Sequence, residues 1–212
     1  MDLKPVKLVL LGETGVGKTS IIQRFVYDDF REDPQPTIGA NFTSRVVKPP
    51  GAAQSIRFHV WDTAGSEVYR SLIRMYYRDA TVAVLVYDTT NYESFERLKY
   101  WQKKLHEESS ATLVLAVVGN KSDLHEREAV KLATAMSFAQ KHDAIFSLCS
   151  AKEAEGVEEV FTAVARKLLD LEYWKHDKFL NKRASMALDT RTSISVQDHE
   201  KKRQAQSGCK SC

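Results

Sequence analysis

The stretch Val6-Lys7-Leu8-Val9-Leu10-Leu11-Gly12-Glu13-Thr14-Gly15-Val16-Gly17-Lys18-Thr19-Ser20-Ile21-Ile22 decides how the chain is read. Val6 to Leu11 is a largely apolar run of strand length, and after Lys18 the apolar positions Ile21, Ile22 and Phe25 recur at helical spacing. Between them, Gly12 to Thr19 matches G-x-x-x-x-G-K-[ST]. A strand-to-helix turn of this composition aims successive backbone N–H groups and a helix N-terminus at one point. Its glycines let a phosphate approach the backbone, and Lys18 adds a full charge on the β/γ side. Thr14, Gly15, Val16, Gly17, Lys18, Thr19 and Ser20 are the expected phosphate-binding stretch, with the Thr19 hydroxyl on Mg2+.

Working outward, further strand-like runs lie at Phe42 to Val47, Ile56 to Trp61, Val82 to Tyr87, Leu113 to Gly119 and Ile145 to Cys149. Helical spacing joins Phe95, Leu98, Trp101, Gln102 and Leu105 in what reads as one amphipathic helix, and it joins Val157, Val160, Phe161, Val164, Leu168 and Leu171 in another. Alternating strands and helices predict an α/β fold built on a six-stranded, mostly parallel sheet with helices on both faces. The exception is Phe42 to Trp61, where Lys48 to Gln54 is too short for a helical crossover and predicts an antiparallel hairpin, hence one antiparallel strand. Residues 1–171 read as one domain. Residues 172–212 read as a flexible tail in which polar and basic residues dominate and no long apolar face survives.

Composition narrows the function classes. The 212 residues are 43% hydrophobic and 28% charged, the profile of a globular chain that needs neither disulfides nor a structural metal. The apolar runs are too short to span a bilayer, and Met1 to Pro5 lacks the elements of a secretory signal, so a reducing compartment is expected. The net charge of +3 divides unevenly. Residues 175–212 hold nine Lys/Arg against four Asp/Glu, or +5, and the remainder holds 22 against 24, or −2. Basic residues gathered in a tail rather than on an ordered stripe with aromatics argue against nucleic-acid binding. Of the three cysteines, Cys149 reads as a small buried hydrophobe, while Cys209 and Cys212 stand at the end of the chain.

Two more motifs specify the chemistry. Trp61-Asp62-Thr63-Ala64-Gly65 closes the third strand, where Asp62 can hold Mg2+ through a water and the Gly65 N–H can approach a terminal phosphate. Asn120-Lys121-Ser122-Asp123 and Ser150-Ala151-Lys152 follow the fifth and sixth strands. The Asp123 carboxylate can accept from both the ring N–H and the exocyclic amine of guanine, whereas adenine would leave it unpaired against a ring nitrogen. The stems of Lys121 and Lys152 can lie on the two faces of the base.

Together these residues resemble the Ras-like P-loop GTPases from Val6 to about Leu171. Within them the Rab family is the nearest likeness, through Thr37-Ile38-Gly39-Ala40-Asn41-Phe42, Trp61 to Gly65, Tyr69-Arg70-Ser71-Leu72, Met75-Tyr76-Tyr77-Arg78 and Leu85-Val86-Tyr87-Asp88. The resemblance implies a switch cycling between GDP and GTP forms with Mg2+, with Thr37 on the cation in the triphosphate state and Phe30 edge-on to guanine. It implies switch segments near Asp33 to Asn41 and Gly65 to Arg78. It also implies partners: effector proteins, a guanine nucleotide exchange factor, a TBC-type GAP, a GDP dissociation inhibitor and a Rab escort protein. Residence would be at the cytoplasmic face of an intracellular membrane, with a cytosolic pool when GDP-bound, and Ile38-Gly39-Ala40 resembles the endocytic, endosomal branch.

Two positions depart from the Rab pattern. Ser66 stands where the family carries glutamine to orient the attacking water, which implies slow hydrolysis by the set Lys18, Thr37, Gly65 and Ser66, or a GTP-loaded scaffold with negligible hydrolysis. Lys210 and Ser211 separate Cys209 from Cys212 where the family ends Cys-Cys or Cys-x-Cys, so prenylation of the pair stands beside an imperfect C-a-a-X reading, a half zinc site lacking a second ligand pair nearby and a plain solvated end. A small-molecule phosphotransferase is the reading from another class. It would need an arginine-bearing lid, where the chain between the fourth and fifth strands reads as helix.

Overall fold

The computed structural model describes residues 5–65, 70–108 and 113–171, with no side chains described for 70–73. Ser66, Cys209, Cys212 and the whole of 172–212 lie outside the described residues. The sheet runs β1 (Pro5–Leu11), β2 (Ala40–Val47), β3 (Ile56–Thr63), β4 (Val82–Asp88), β5 (Val114–Asn120) and β6 (Ile145–Leu148) in chain order, arranged in space as β2-β3-β1-β4-β5-β6. β2 pairs antiparallel with β3, from Ala40 opposite Thr63 to Val47 opposite Ile56, and the other neighbours are parallel. The expected hairpin and the mostly parallel six-stranded sheet are both present. From β1 the chain passes to β3 on one side and then to β4 on the other, which makes the carboxyl end of β1 the switch point where ligands sit in such sheets.

Alternation along β1 explains why both faces must be covered: Val9 and Leu11 point to one side, Leu8 and Leu10 to the other, and all four are buried. On the first side Val9, Leu11, Ala83, Leu85 and Val117 pack with residues of α2 (Arg70–Tyr77), α3 (Tyr92–Glu96), α4 (Leu98–Glu108) and α5 (Leu132–Lys141). On the second side Phe58, which shares the face of Leu8, lies 6.4 Å from Phe161 of α6 (Val157–Asp170), and Phe161 stacks on Phe25 of α1 (Lys18–Tyr27) at 3.6 Å and 13°. Each such buried ring contributes about 2–3 kcal/mol through area removed from water. Cys149 is buried as expected, and burial pushes its thiol up to about 12, well away from reactivity.

One expectation needs correction. The predicted single helix through Phe95 and Leu105 is two segments that break at Arg97. There ψ relaxes to −19° and the Arg97 carbonyl accepts from Tyr100 N at 3.1 Å and from Trp101 N at 3.4 Å, a tightened 3₁₀-like turn. Phe95, Leu98, Trp101 and Leu105 still share one buried face across it.

Candidate functional site

At the carboxyl end of β1 the backbone must turn sharply into α1, and Gly17 makes the turn at φ +92°. A Cβ there would also collide with the Asn120 amide nitrogen, so glycine is required by conformation and by space. The Lys18 side chain doubles back inside the turn, donating to the Gly12 carbonyl at 2.8 Å and the Glu13 carbonyl at 2.9 Å. Burial lowers its pKa to about 8, against the opposing pull of Asp62 and Glu13. Gly65 closes the other wall, where a Cβ would run into the backbone of Glu13 and Thr14.

Beside this loop three oxygen-bearing side chains converge. The Thr19 hydroxyl donates to Asp62 Oδ2 at 2.7 Å and lies 2.8 Å from the Thr37 hydroxyl. Thr19 has one proton and gives it to the carboxylate, so Thr37 donates to Thr19. Asp62 Oδ1 is buried with no hydrogen-bond partner among the described residues. Burial raises the Asp62 pKa, offset in part by Thr19 and Lys18. Two hydroxyls and an under-satisfied carboxylate form a hard-oxygen donor set that fits a divalent cation such as Mg2+, with room left for ligand oxygens and water.

The far end of the site is assembled from the ends of β5 and β6. Asn120 is buried; its amide donates to the Val16 carbonyl at 2.9 Å and its carbonyl accepts from Ala151 N at 3.2 Å. Ser150 donates to Asp123 Oδ1 at 2.6 Å and accepts from Glu153 N at 3.0 Å, which orients the carboxylate. Arg24, on α1, donates through Nε to the Ala151 carbonyl at 3.0 Å and through its second amine to the Lys152 carbonyl at 3.1 Å. Neighbouring donors of one guanidinium thus hold the loop that carries Lys152.

These elements enclose a cleft of about 700 Å³ lined by Thr14, Gly15, Gly17, Lys18, Thr19, Ser20, Phe30, Thr37, Gly65, Asn120, Lys121, Asp123, Ala151 and Lys152, all expected from the sequence. Val16, Asp62 and Ser150 stand just behind the lining and act through the contacts given above. Pro34, Gln35 and Pro36 on the rim fall in the expected switch segment though not among the expected site residues, and sequence reasoning missed Arg31, Glu32 and Leu124 on the lining and Arg24 beneath the floor. No local motif marks Arg24, because its partners are 127 and 128 residues away.

The profile of the Ras family matches residues 7–170. The chain therefore belongs to the Ras family of small GTPases. It is 45% identical over 162 residues to the Ras-related protein RABF2b of Arabidopsis thaliana, across 76% of this chain and 80% of that one. Within the family it is a Rab-like small GTPase, and its family binds guanine nucleotides with Mg2+.

The Asn120 bridge makes a measurable demand. Asn120→Ala strands the Val16 carbonyl and the Ala151 N–H in a buried place, and each unmade bond costs about 1–3 kcal/mol. Denaturant melts of the ligand-free protein should show a loss of roughly 3 kcal/mol; a loss below about 0.5 kcal/mol contradicts the bridging role.

Proposed function

We propose that this chain is a Rab-type switch that binds GDP and GTP in the cleft, hydrolyses GTP slowly and recruits effectors in vesicle-mediated membrane trafficking. The observation that carries the reading is the cleft itself, with the Thr19, Thr37 and Asp62 oxygens at one end and the Ser150-oriented Asp123 carboxylate at the other. Asp123 reads the two guanine donors, Lys121 and Lys152 flank the base, and Phe30 meets its edge. Thr14 to Ser20 receive the phosphates, with Lys18 placing its charge on the β/γ side. Thr19 and Thr37 would hold Mg2+, with Asp62 holding it through a water, and the cation would supply charge neutralisation for phosphoryl transfer. The Gly65 N–H faces the terminal phosphate. Ser66 retains a hydroxyl but lacks the reach of a carboxamide, so water is less well oriented and the GTP form persists until a TBC-type GAP acts.

Effector recruitment is supported by large apolar side chains that are exposed among the described residues near the cleft. Ile38, Phe42 and Met75 are 81%, 54% and 70% exposed, and Phe42 meets His59 and Trp61 edge-on at 5.2 and 5.3 Å. A monomer seldom leaves large apolar side chains clustered in water without a partner for them. The exchange factor, GDP dissociation inhibitor and Rab escort protein belong to the same cycle. Residues 1–171 serve as the GTPase domain and 172–212 as its tail, with prenyl groups on Cys209 and Cys212 and nearby Lys201, Lys202, Arg203 and Lys210 attracted to anionic lipid. That anchor places the protein on the cytoplasmic face of an intracellular membrane, in the endosomal system by the Ile38-Gly39-Ala40 likeness, with a cytosolic pool in the GDP form.

Competition of nucleotides against labelled GTP tests the base assignment. GTP should win over ATP by a factor on the order of 10⁴, and Asp123→Asn should shift preference to the xanthine nucleotide, whose extra carbonyl accepts where guanine donates. Comparable binding of ATP by the wild type overturns the assignment.

Single-turnover hydrolysis tests Ser66. Ser66→Gln should raise the intrinsic rate by about 10² to 10³ while leaving GTP affinity within a few-fold. Equal rates remove the role assigned to Ser66, and a wild type with no measurable turnover even with a GAP favours the GTP-loaded scaffold.

Intact mass of the protein from eukaryotic cells tests the anchor. One or two prenyl additions are expected, lost in a chain lacking its last four residues; an unmodified terminus on the membrane-bound pool contradicts the anchor.

A further inference from the structure

Lys121 sits on the cleft wall in the left-handed region, at φ +67° and ψ +34°, which a side-chain-bearing residue adopts only under constraint. The carboxyl end of β4 supplies the constraint. Thr89 N donates to the Asn120 carbonyl at 3.0 Å, the Thr89 hydroxyl donates to the Lys121 carbonyl at 3.1 Å, and the Lys121 ammonium meets Asp88 Oδ2 at 2.6 Å. Asp88 is itself locked. Its Oδ1 accepts from Thr90 N at 2.8 Å and from the Thr90 hydroxyl at 2.7 Å, and its backbone N–H donates to the Ser94 hydroxyl at 3.0 Å. Burial acts to raise the Asp88 pKa, but the hydrogen bonds from Lys121 and Thr90 outweigh it and hold the group below the usual carboxylate range, so it is charged. Asp88 does not line the cleft, whereas Lys121 does.

We infer that Asp88 is a positioning residue for nucleotide retention: it tethers the Lys121 ammonium behind the cleft and thereby stretches the lysine stem along the wall where the base lies. The inference rests on the guanine-nucleotide reading above. A lysine stem free in water samples many rotamers and must be ordered at each binding event, while a tethered stem is ordered beforehand. The gain should appear mainly in the dissociation rate. It should be indifferent to which purine is bound, because Asp123, not Lys121, reads the base edge. Loss of Asp88 should therefore speed release without altering selectivity, which separates it from a residue of the base-reading set.

The experiment measures release of fluorescent GDP from the full chain. Asp88→Asn keeps the shape and one acceptor for Thr90 but removes the charge, and release should accelerate roughly ten- to a hundredfold with the preference for guanine over xanthine unchanged. Lys121→Met keeps the stem and removes the ammonium. Combined with Asp88→Asn it should release no faster than the faster single variant, since both remove one tether. Asp88→Glu, which restores the charge, should recover slow release. Thr90→Val removes one hydrogen bond from the same carboxylate and should give a smaller acceleration, about two- to fivefold, and it decides the question if Asp88→Asn does not fold. Wild-type release rates in Asp88→Asn or, failing that, in Thr90→Val overturn the inference. So do effects of Asp88→Asn and Lys121→Met that multiply, or a changed base preference. A wild type that takes up no GDP but does take up another nucleotide overturns the guanine reading and this inference with it, whereas GDP uptake with unaltered variants overturns the inference alone.

Discussion

The buried Asn120 carboxamide is the joint on which the site depends. Its donor reaches the Val16 carbonyl, 104 positions away, and its acceptor takes the Ala151 N–H, so one planar group sets the distance between the loop after β1 and the loops after β5 and β6. Both partners are backbone atoms in a buried place, where an unmade hydrogen bond costs the full desolvation penalty rather than the small net value of an exposed one. The geometry propagates into the sequence. Because the amide nitrogen occupies the volume a Gly17 side chain would need, and because residue 17 has a positive φ, that position is closed to other residues twice over. The cleft length from Lys18 to Asp123 is thus a property of the packed interior, not of the surface loops.

Electrostatics explain why such a cleft calls for a charged ligand. Lys18 and Asp62 are both buried, and burial disfavours the charged form of each, lowering one pKa and raising the other while the two charges oppose both shifts. Lys18 recovers part of its solvation from the Gly12 and Glu13 carbonyls. Asp62 uses one oxygen on Thr19 and leaves the other without a partner among the described residues. An anion beside Lys18 and a cation beside Asp62 relieve the two penalties together, which is the physical basis for proposing that phosphate and Mg2+ enter as a unit.

The sheet was readable because its central strands are buried on both faces and so appear as apolar runs: Val82 to Tyr87 was expected and Val82–Asp88 is observed. The phosphate and base loops were readable because their chemistry is local, each within eight consecutive residues or fewer. Helix α5 was not, since its buried positions are Ala135 and Ala139, too small to stand out in a hydrophobic pattern. The break at Arg97 was not readable either, because the apolar face continues across it and only the carbonyl geometry changes. Arg24 and Asp88 were missed for a different reason: both act by reaching residues that the fold, not the chain, brings close, and one of them even lies inside a stretch quoted for its family likeness. The outer residues of the proposed site, Ser66 and the terminal cysteines, stand beyond the described residues.

The β2–β3 hairpin connects the cluster of Thr19, Thr37 and Asp62 directly to the exposed apolar Phe42. β2 begins three residues after Thr37, and β3 ends on Asp62 and Thr63, so both strands carry cluster residues at or next to their ends. The two ends are tied by Ala64 N donating to the Gly39 carbonyl at 2.9 Å and by the pairing of Asn41 with Asp62. One step along the same strands, Phe42 pairs with Trp61, and Trp61 in turn lies 5.6 Å from the Tyr76 ring of α2. A ladder of backbone hydrogen bonds is stiff, so a shift of Thr37 toward or away from the cluster must be absorbed either by the loop before Ala40 or by the Phe42 end of the strand. The same few residues therefore join the cleft to the exposed apolar side chains. That juxtaposition is what the proposed effector site requires, since a change at Thr37 would reach Phe42 along the strand without a separate relay through the core.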